Sequence, residues 1–319
     1  MAIVTGTSGD DNGAFALVGT SATDVINGLA GDDEIYAGAS NDILVGGVGS
    51  DVINGGSGFD LLSYDYAASS VVVDLSQGYG FVDLTDSDQL FSVENVWGSK
   101  FGDILVGDEG ANELFGRAGN DLLAGRGGAD RLSGGDGFDT ASYALSDAAV
   151  QVNLATGATS GGHAQGDFLS DIENLVGSNY NDTLVGNGGS NRLHGGGGGD
   201  TLRGGAGADT VSGDEGKDAL WGGKDADVFA FEVGDSAATK ANADVIKDYS
   251  EAQGDRIDLS AFGGLDFIGG DAFSAANQAR VTTSGGNTFV AINLTGADTA
   301  EMFIRLDGLH TLEQNDFLL

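Results

Sequence analysis

Acidic residues recur at nine-residue intervals along much of the chain, and their type and spacing could do chemistry. The interval is kept in three blocks, with Asn replacing Asp twice. Carboxylate and amide oxygens are ligands for a hard divalent cation, whereas three His and no Cys offer no zinc or thiolate set. The recurring residues are Asp24, Asp33, Asp42, Asp51, Asp60, Asp103, Asn112, Asp121, Asp130, Asp139, Asp182, Asn191, Asp200, Asp209, Asp218 and Asp227.

Each of these residues is the sixth of a nonapeptide, GGxGxDxUx, in which U is apolar; the segments 28–36 and 46–54 are examples. Gly at positions one, two and four permits positive φ and close backbone approach, so that carbonyl oxygens point into the gap between stacked turns. The apolar eighth position predicts one inward side chain on a very short strand. Two nonapeptides, each a turn and a strand, should together form one coil of the fold.

Turns that are two nonapeptides apart should stack on the same edge and share a cation. Ca²⁺ takes six to eight carboxylate and carbonyl oxygens without strict geometry, whereas Mg²⁺ prefers octahedral coordination and should compete poorly. The spacing predicts up to about ten Ca²⁺ ions, with weaker sites at the pairs Asn112/Asp130 and Asn191/Asp209. The other predicted ligands are the backbones of Gly28, Ala30, Gly46, Val48, Gly55, Gly125, Gly127, Gly134, Gly195, Gly197, Gly204, Ala206 and Gly213.

A second, longer period shows that a larger unit is duplicated. Asp24, Asp103 and Asp182 are equally spaced, and we call their spacing the long period. Ser63-Tyr64 recurs as Ser142-Tyr143 at the same distance. Each unit is a run of nonapeptides followed by an insert, which we expect to form longer strands or hairpins that extend the same sheets.

The predicted fold is all-β, a right-handed parallel β-roll, or solenoid, with a β-rich carboxy-terminal cap. Residues 1–18, which include a partial repeat at 6–14, form an amino-terminal cap. The roll comprises residues 19–230, and residues 231–319 form the second cap and an export region. Within the roll we expect repeat blocks at 19–63, 98–142 and 177–230, with inserts at 64–97 and 143–176.

Composition excludes several function classes. The net charge is −36, which disfavours nucleic acids and anionic membrane surfaces as partners and favours divalent cations. Such a charge also predicts that the chain repels itself until cations bind. The amino terminus has neither a basic region nor an apolar stretch, so we expect no cleaved signal, and no segment is long enough for a transmembrane helix.

The sixteen nonapeptides in register resemble the repeats-in-toxin (RTX), or hemolysin-type, calcium-binding family. Segments 243–262 and 308–319 resemble the domain that follows the β-roll in serralysin-type proteases. In that family this region directs type I export, and the chain ends with one acidic and three apolar residues, matched here by residues 316–319. His163, His194 and His310 form no HExxH motif, so the resemblance does not extend to proteolysis.

These observations predict a secreted, non-enzymatic calcium-binding protein of the cell surface, a surface layer or a matrix. Its expected partners are calcium, a type I exporter, and either copies of itself or a cell-surface polysaccharide. No catalytic residue is predicted. The alternatives are an RTX-bearing extracellular enzyme or its carboxy-terminal part (protease, lipase or polysaccharide epimerase), or a secreted effector that acts on host membranes. Trp97 and Trp221 fit either packing under the inserts and cap or a carbohydrate-stacking face.

Overall fold

The computed structural model describes residues 1–13, 16–82 and 86–319. Within these ranges the chain forms β-strands and short 3-10 helices but no α-helix, so the predicted all-β class is confirmed. Ala14, in the predicted partial repeat, and residues 83–85, in the first insert, lie outside the described residues. None of the helical segments described has the length and apolar composition that crossing a membrane requires. The 3-10 helices are Gly162–Ala164, Ser260–Phe262 and Gln314–Asp316.

The chain divides into two compact units, Met1–Tyr143 with His163–Ile172, and Ala144–Gly162 with Glu173–Leu319. The third repeat block and the carboxy-terminal cap therefore lie in the same unit. The strands of the first unit are β1 (Ala2–Thr5), β2 (Leu17–Val18), β3 (Asp24–Ala30), β4 (Glu34–Tyr36), β5 (Ile43–Val48), β6 (Val52–Asn54), β7 (Leu61–Ser63), β8 (Val72–Asp74), β9 (Tyr79–Phe81), β10 (Ser87–Phe91), β11 (Asn95–Trp97), β12 (Ile104–Val106), β13 (Glu113–Ala118), β14 (Leu122–Ala124), β15 (Arg131–Asp136), β16 (Thr140–Ser142) and β19 (Phe168–Ser170).

Two sheets form the first unit. One is wholly parallel, in the order β1-β3-β5-β7-β11-β13-β15-β19. The other runs β2-β4-β6-β10-β9-β8-β12-β14-β16 and is parallel except around β9, which is antiparallel to both neighbours. Odd and even nonapeptides alternate between the sheets, so each coil contributes one strand to each. The predicted parallel roll is confirmed.

The second unit repeats this arrangement and extends it into the cap. It has a parallel sheet in the order β20-β22-β25-β28-β30-β35, a mixed sheet in the order β18-β17-β21-β24-β27-β29-β34-β33-β32-β31, and a two-stranded parallel sheet of β23 and β26. The strands are β17 (Gln151–Asn153), β18 (Ala158–Ser160), β20 (Asn174–Val176), β21 (Thr183–Val185), β22 (Arg192–His194), β23 (Gly197–Gly198), β24 (Thr201–Ala206), β25 (Thr210–Ser212), β26 (Glu215–Gly216), β27 (Ala219–Lys224), β28 (Val228–Ala230), β29 (Asp244–Ile246), β30 (Arg256–Asp258), β31 (Asp266–Phe267), β32 (Gln278–Ser284), β33 (Asn287–Asn293), β34 (Met302–Leu306) and β35 (Phe317–Leu318).

The eighth position of every nonapeptide supplies the core. Strand side chains alternate between faces, so a three-residue strand can point only its central residue inward. All sixteen of these side chains have 0% relative exposure, although one of them is only Ala. They are Ile26, Ile35, Leu44, Ile53, Leu62, Leu105, Leu114, Leu123, Leu132, Ala141, Leu184, Leu193, Leu202, Val211, Leu220 and Phe229.

Both inserts contain an antiparallel hairpin, and the two hairpins turn in the same way. In the first, β8 pairs with β9; the Asp74 side chain accepts the Gln77 N–H, and Gly78 has a φ of 70°. In the second, β17 pairs with β18; the Asn153 side chain accepts the Thr156 N–H, and Gly157 has the same φ. An Asx-type turn with a left-handed glycine thus closes each hairpin.

Neighbouring residues of β12 provide a test of the core. Leu105 is fully buried, whereas Ile104 is 42% exposed. We expect Leu105→Ala to lower the free energy of unfolding by about 2–5 kcal/mol because it leaves a cavity in the stack, and Ile104→Ala to lower it by less than about 1 kcal/mol. Urea denaturation in excess calcium measures both values. Equal losses would contradict the assignment of position eight as the core.

Candidate functional site

A ladder of carboxylates runs along each edge of the repeats. In each of the ten predicted pairs, Oδ1 of the later residue accepts the backbone N–H of the earlier one, at 2.7–2.9 Å. The spacing of two nonapeptides therefore brings these groups together as the sequence predicts. The pairs are Asp24/Asp42, Asp33/Asp51, Asp42/Asp60, Asp103/Asp121, Asn112/Asp130, Asp121/Asp139, Asp182/Asp200, Asn191/Asp209, Asp200/Asp218 and Asp209/Asp227.

These side chains are buried, which is unusual for aspartate. None of the sixteen has more than 4% of its surface exposed. A buried carboxylate needs hydrogen-bond donors or a cation for both oxygens, because water no longer solvates it. The ladder hydrogen bond satisfies one oxygen, so the surroundings of the second oxygen decide what each turn can bind.

In ten of the turns described, the second oxygen is buried and has no hydrogen-bond partner. We call these turns open. In each of them the residue at position two has a positive φ, as Gly47 does at 115° and Arg117 does at 81°. The unpartnered atoms are Oδ2 of Asp33, Asp42, Asp51, Asp60, Asp121, Asp130, Asp200, Asp209, Asp218 and Asp227.

In five other turns, which we call closed, the carboxylate or amide oxygen accepts the backbone N–H of its own position-two residue. Thr20 donates to Asp24 at 2.6 Å, and Ser99 donates to Asp103. Within the described part of the chain, none of these position-two residues has a positive φ. The remaining closed turns pair Ser178 with Asp182, Asp108 with Asn112, and Asn187 with Asn191.

The backbone conformation at position two thus distinguishes the two kinds of turn. In open turns this N–H points elsewhere: Leu29 donates to Asn27, and Gly196 donates to Asp214. The three predicted ligands Asp24, Asp103 and Asp182 lie in closed turns at the start of their blocks. A Thr or Ser at position two, which recurs at the long period, is the feature of the sequence that could have identified these closed turns.

Position one requires glycine because there is no space for a side chain, and not because the backbone has a positive φ there. The sequence predicts positive φ at positions one, two and four. In the open turns, positions two and four have a positive φ, whereas Gly28 and Gly46 at position one do not. A Cβ on Gly28 would overlap both Asp33 Oδ2 and the Gly46 carbonyl oxygen. The same holds for Gly195, beside Asp200 Oδ2 and the Gly213 carbonyl. A carboxylate oxygen and a carbonyl oxygen of the next turn therefore face one small gap.

The predicted backbone ligands fall into two groups. The position-one residues border carboxylate or amide oxygens: Gly125 and Gly204 present carbonyls beside Asn112 and Asn191, and Gly55 and Gly134 adjoin Asp60 and Asp139.

The position-three residues form the pairing between turns. The Val48 carbonyl accepts the Gly31 N–H, and Ala30 lies in register with Val48. The Gly197 and Ala206 amides donate to the preceding turn, and Gly127 adjoins the Glu109 carboxylate.

The open turns fit calcium. The open turns of Asp33 and Asp200 each offer a carboxylate oxygen and an adjoining carbonyl oxygen, and both are hard donors. Among the residues described, no group of three or more His, Cys, Asp or Glu side chains could hold a metal by itself. A cation in the ladder would therefore need backbone oxygens as well as carboxylates.

Inserts and cap also contribute acidic residues to the ladder, and the nonapeptide pattern did not reveal them. Asp88 and Glu94 accept the N–H groups of Asp51 and Asp60 at spacings of 37 and 34 residues. Asp167 accepts that of Asp130 in the same way. Because chain is inserted between the stacked turns, the spacing exceeds two nonapeptides. The recurrence of Asp88 as Asp167 at the long period was the available signal.

Two tyrosine hydroxyls donate hydrogen bonds to the aspartates that the inserts add to the ladder. The Tyr64 hydroxyl donates to Asp88 Oδ2 at 2.8 Å, and the Tyr143 hydroxyl donates to Asp167 Oδ2 at 3.1 Å. Both tyrosines are buried, and burial holds their pKa well above the ordinary value. Neither hydroxyl ionises near neutral pH, so these two carboxylates are satisfied by hydrogen bonds.

Burial raises the pKa of the open-turn carboxyls. The pKa is about 8 for Asp51 and Asp200 and about 7 for Asp121 and Asp130, against 3.8 for an ordinary aspartate. Neighbouring carboxylates raise the values further. Without a cation, the folded ladder therefore favours protonated carboxyls near neutral pH.

The aromatic and basic side chains form small surface clusters. Trp97, which is 39% exposed, contacts Phe115 edge to face, and the Arg117 guanidinium lies 6.0 Å from its ring centre. Arg203 lies 4.2 Å from the Trp221 ring centre. Arginine therefore covers one face of each indole, which leaves less of the ring for a sugar.

Comparison with known proteins identifies the repeats. The family model for the RTX calcium-binding nonapeptide repeat (4 copies) matches residues 18–53, 41–62, 97–141, 170–202 and 194–229. Among solved structures, the chain is similar to the AlgE6R3 subunit of the Azotobacter vinelandii mannuronan C5-epimerase, at 34% identity over 45% of this chain and 80% of that chain, with a TM-score of 0.36.

Two further structures are similar. The AlgE6R2 subunit of the same epimerase has 29% identity over 47% of this chain and 94% of that chain, with a TM-score of 0.37. The extracellular lipase LipA of Serratia marcescens has 12% identity over 98% of this chain but 39% of the lipase, with a TM-score of 0.17. No curated protein sequence matches the chain.

The two kinds of turn predict different responses to neutralising a carboxylate. Asp200→Asn removes an unpartnered oxygen, so we expect one fewer bound Ca²⁺ at saturation, by equilibrium dialysis with radioactive calcium. Asp182→Asn should leave the count unchanged, because Oδ2 of Asp182 already accepts the Ser178 N–H and has no place for a cation. Circular dichroism in calcium verifies the fold of each variant. An unchanged count for Asp200→Asn would contradict the assignment of open turns as cation sites.

The raised pKa values predict how stability depends on pH without calcium. The folded chain binds more protons than the unfolded chain between about pH 4 and pH 8. The free energy of unfolding in chelator should therefore be greatest near pH 4 and should fall as the pH rises through 8. Circular dichroism of the chelated protein, titrated from pH 8 to pH 4, should show a gain of β signal.

In saturating calcium the dependence should reverse, because protons compete with the cation for the same oxygens. Calcium affinity should fall as the pH drops below about 7, the pKa of Asp121 and Asp130. A control at pH 8 in 1 M NaCl separates screening of the overall charge from protonation of the ladder. Folding by NaCl alone would show that overall repulsion, rather than the buried carboxyls, keeps the chelated chain unfolded.

Proposed function

We propose that this chain, which carries RTX calcium-binding nonapeptide repeats, is an exported protein that folds when Ca²⁺ binds its carboxylate ladder. The observation that carries this proposal is the set of ten buried, unpartnered carboxylate oxygens. Each belongs to a turn whose backbone withholds the N–H group that would otherwise satisfy it. Such a side chain is stable in a folded protein only when it is protonated or meets a cation.

Electrostatics favours the cation at neutral pH. Moving an isolated carboxylate into a protein interior costs several kcal/mol, and the ladder places many of them next to each other. If a site were occupied at 100 times its dissociation constant, it would add about 2.7 kcal/mol to the folded state. Several such sites exceed the usual net stability of a domain. Without calcium we therefore expect the chain to be unfolded at pH 7.

The open turns would hold the ions through their Asp Oδ2 and the position-one carbonyl of the next turn on the same edge. Calcium supplies the positive charge that these oxygens lack. The closed turns would hold none, because the N–H of position two already occupies the oxygen. Asp24, Asp103 and Asp182, at the start of the blocks, would then be structural residues of the ladder rather than primary ligands.

Export before folding is the second part of the proposal. Free calcium is low in the cytosol and high outside, so the chain would stay unfolded until it leaves the cell. The carboxy-terminal end supports this order, because β35 pairs with β30 and Phe317 is only 6% exposed. A type I exporter that reads residues 316–319 would have to do so before this strand docks.

Outside the cell we propose a structural role, as a component of the cell surface, a surface layer or a matrix, without catalytic activity. A roll of stacked coils with exposed sheet edges suits association with further copies or with an anionic polysaccharide bridged by calcium. A second candidate is a repeat module of an extracellular polysaccharide-modifying enzyme. The 34% sequence identity to an epimerase subunit supports it.

A calcium titration of chelator-stripped protein tests the proposal. We expect the β signal in circular dichroism to appear cooperatively with calcium but not with equal magnesium, because the ladder offers no octahedral, water-retaining site. Light scattering recorded on the same samples should rise if folded chains associate. Stripped protein that is already folded at pH 7 and ignores calcium would refute calcium-dependent folding.

Activity assays on alginate, lipid and casein separate the structural role from the enzymatic alternatives. We expect no turnover by the calcium-loaded protein. Turnover of any of these substrates would refute the non-enzymatic role and favour the corresponding enzyme class. Leakage of dye from calcium-loaded vesicles would favour the membrane effector.

A further inference from the structure

Basic side chains gather on the outer face of the mixed sheet of the second unit. The residues at positions seven and nine of its nonapeptides form two rows in register across β17, β21, β24 and β27. The cap strands β29 and β34 continue both rows, because β29 pairs with β27 and β34 pairs with β29. The charged residues that these rows contain are Arg203, Lys247, Arg305 and Asp307.

This grouping contrasts with the charge of the whole chain. The chain has 13 Lys and Arg residues against 49 Asp and Glu residues. Here three positive charges stand against one negative charge, which gives the two rows a local net charge of +2. We call the surface formed by Arg203, Trp221, Lys247 and Arg305 the basic face.

Trp221 positions two of the cations. It lies in register with Arg203, whose guanidinium is 4.2 Å from the ring centre. The Lys247 ammonium is 5.9 Å from the same centre. The electron-rich face of an indole attracts both groups. Trp221 therefore holds cations in place, and these cations rather than the ring are available to a ligand.

Asp307 orders the other end of the basic face without neutralising it. Its carboxylate lies 3.1 Å from Lys247 Nζ and 2.5 Å from Arg305 Nη2. An ammonium has three donors and a guanidinium has five, so both side chains keep donors for a further acceptor. Among the residues that the structure describes, Arg203 has no carboxylate within ion-pair distance.

The three cations are also accessible to solvent. The side chains of Lys247 and Arg305 are 28% and 34% exposed, and Arg203 is exposed. A further cation extends the strip, since Lys240 Nζ lies 4.5 Å from the ring centre of Phe289, which is in register with Arg305. An anion in solution can therefore approach the whole strip.

The other tryptophan of the chain shows the contrasting case. The Arg117 guanidinium lies 6.0 Å from the Trp97 ring centre, but it also forms an ion pair with Asp65. The positive charge beside Trp97 is thus cancelled by a carboxylate of the chain itself. Beside Trp221, in contrast, the charge of Arg203 is left for an external anion.

We propose that the basic face binds the carboxylates of a linear anionic polysaccharide of the polyuronate class. A guanidinium matches the geometry of a carboxylate, and the exposed cations follow a line across the strands. Arg203 and Lys247 lie two strands apart, at roughly 10 Å. A polymer with one carboxylate on each sugar presents its charges along such a line. These contacts are direct, so they differ from bridging of the polymer to the protein by calcium.

The inference rests on the proposed role outside the cell, and it names the polymer chemistry that one surface of the second unit recognises. A second copy of this chain, which is itself acidic, is the competing occupant. The linear arrangement of the cations favours a narrow, extended polymer over a folded protein.

Matched charge variants test the basic face in saturating calcium, where the chain is expected to be folded. The probe is a short oligouronate, with its methyl ester as the uncharged counterpart, and isothermal titration calorimetry measures the affinity. We expect Arg203→Gln and Lys247→Gln each to weaken oligouronate binding about fivefold. Arg192→Gln makes the same charge change on the other sheet of the unit and should leave the affinity unchanged. The methyl ester should not bind, and circular dichroism verifies the fold of each variant.

The outcomes separate this inference from the proposed function. A wild-type chain that does not fold with calcium would refute the proposed function. A folded wild-type chain that ignores the oligouronate, or that binds it equally after Arg203→Gln and Lys247→Gln, would overturn the inference alone. An equal loss in Arg192→Gln would also overturn it, because overall charge would then explain the binding. If Arg203→Gln instead abolishes light scattering by associated chains and the oligouronate does not bind, the basic face docks a second copy and the inference is wrong.

Discussion

Each ladder aspartate has two oxygens that are buried from solvent, and only one of them is satisfied by the stacking of turns. The hydrogen bond from the preceding turn uses Oδ1 in all ten pairs. The structure then treats the second oxygen in three ways: a backbone N–H at Asp24, a tyrosine hydroxyl at Asp88, and no donor at Asp33. The last arrangement makes the fold depend on what the solvent supplies.

This dependence follows from how little else stabilises the coils. One apolar side chain per nonapeptide, in places as small as Ala141, buries little surface for the backbone that must be ordered. A conventional domain would compensate with a thicker core. Here the ladder compensates instead, and its contribution depends on cation concentration and pH, whereas that of a hydrophobic core does not.

Much of this could be read from the sequence. The nine-residue period predicts that position eight of each nonapeptide points inward. A coil of two nonapeptides predicts which aspartates are neighbours, because both predictions follow from chain geometry alone. The conformation of position two could not be read in the same way, since Arg117 and Asp214 adopt the left-handed region that Gly47 adopts elsewhere. The nonapeptide pattern did not predict that Asp244 joins the ladder as the acceptor of the Asp218 N–H, because Asp244 follows Asp218 by 26 residues rather than by two nonapeptides. Only the folded structure shows that the extra residues between them form a loop outside the stack.

The tyrosine hydrogen bonds to Asp88 and Asp167 have a consequence for how such a chain can lengthen. Each duplicated unit includes, with its nonapeptides, an insert whose tyrosine and aspartate complete the ladder by hydrogen bonds. A tandem copy therefore brings, on the edge of Asp51 and Asp130, the acceptor that the last nonapeptide of that edge needs. Gene duplication can therefore extend the protein by whole units. A copy that ended within a block would leave the N–H of its last turn without the insert carboxylate that accepts it.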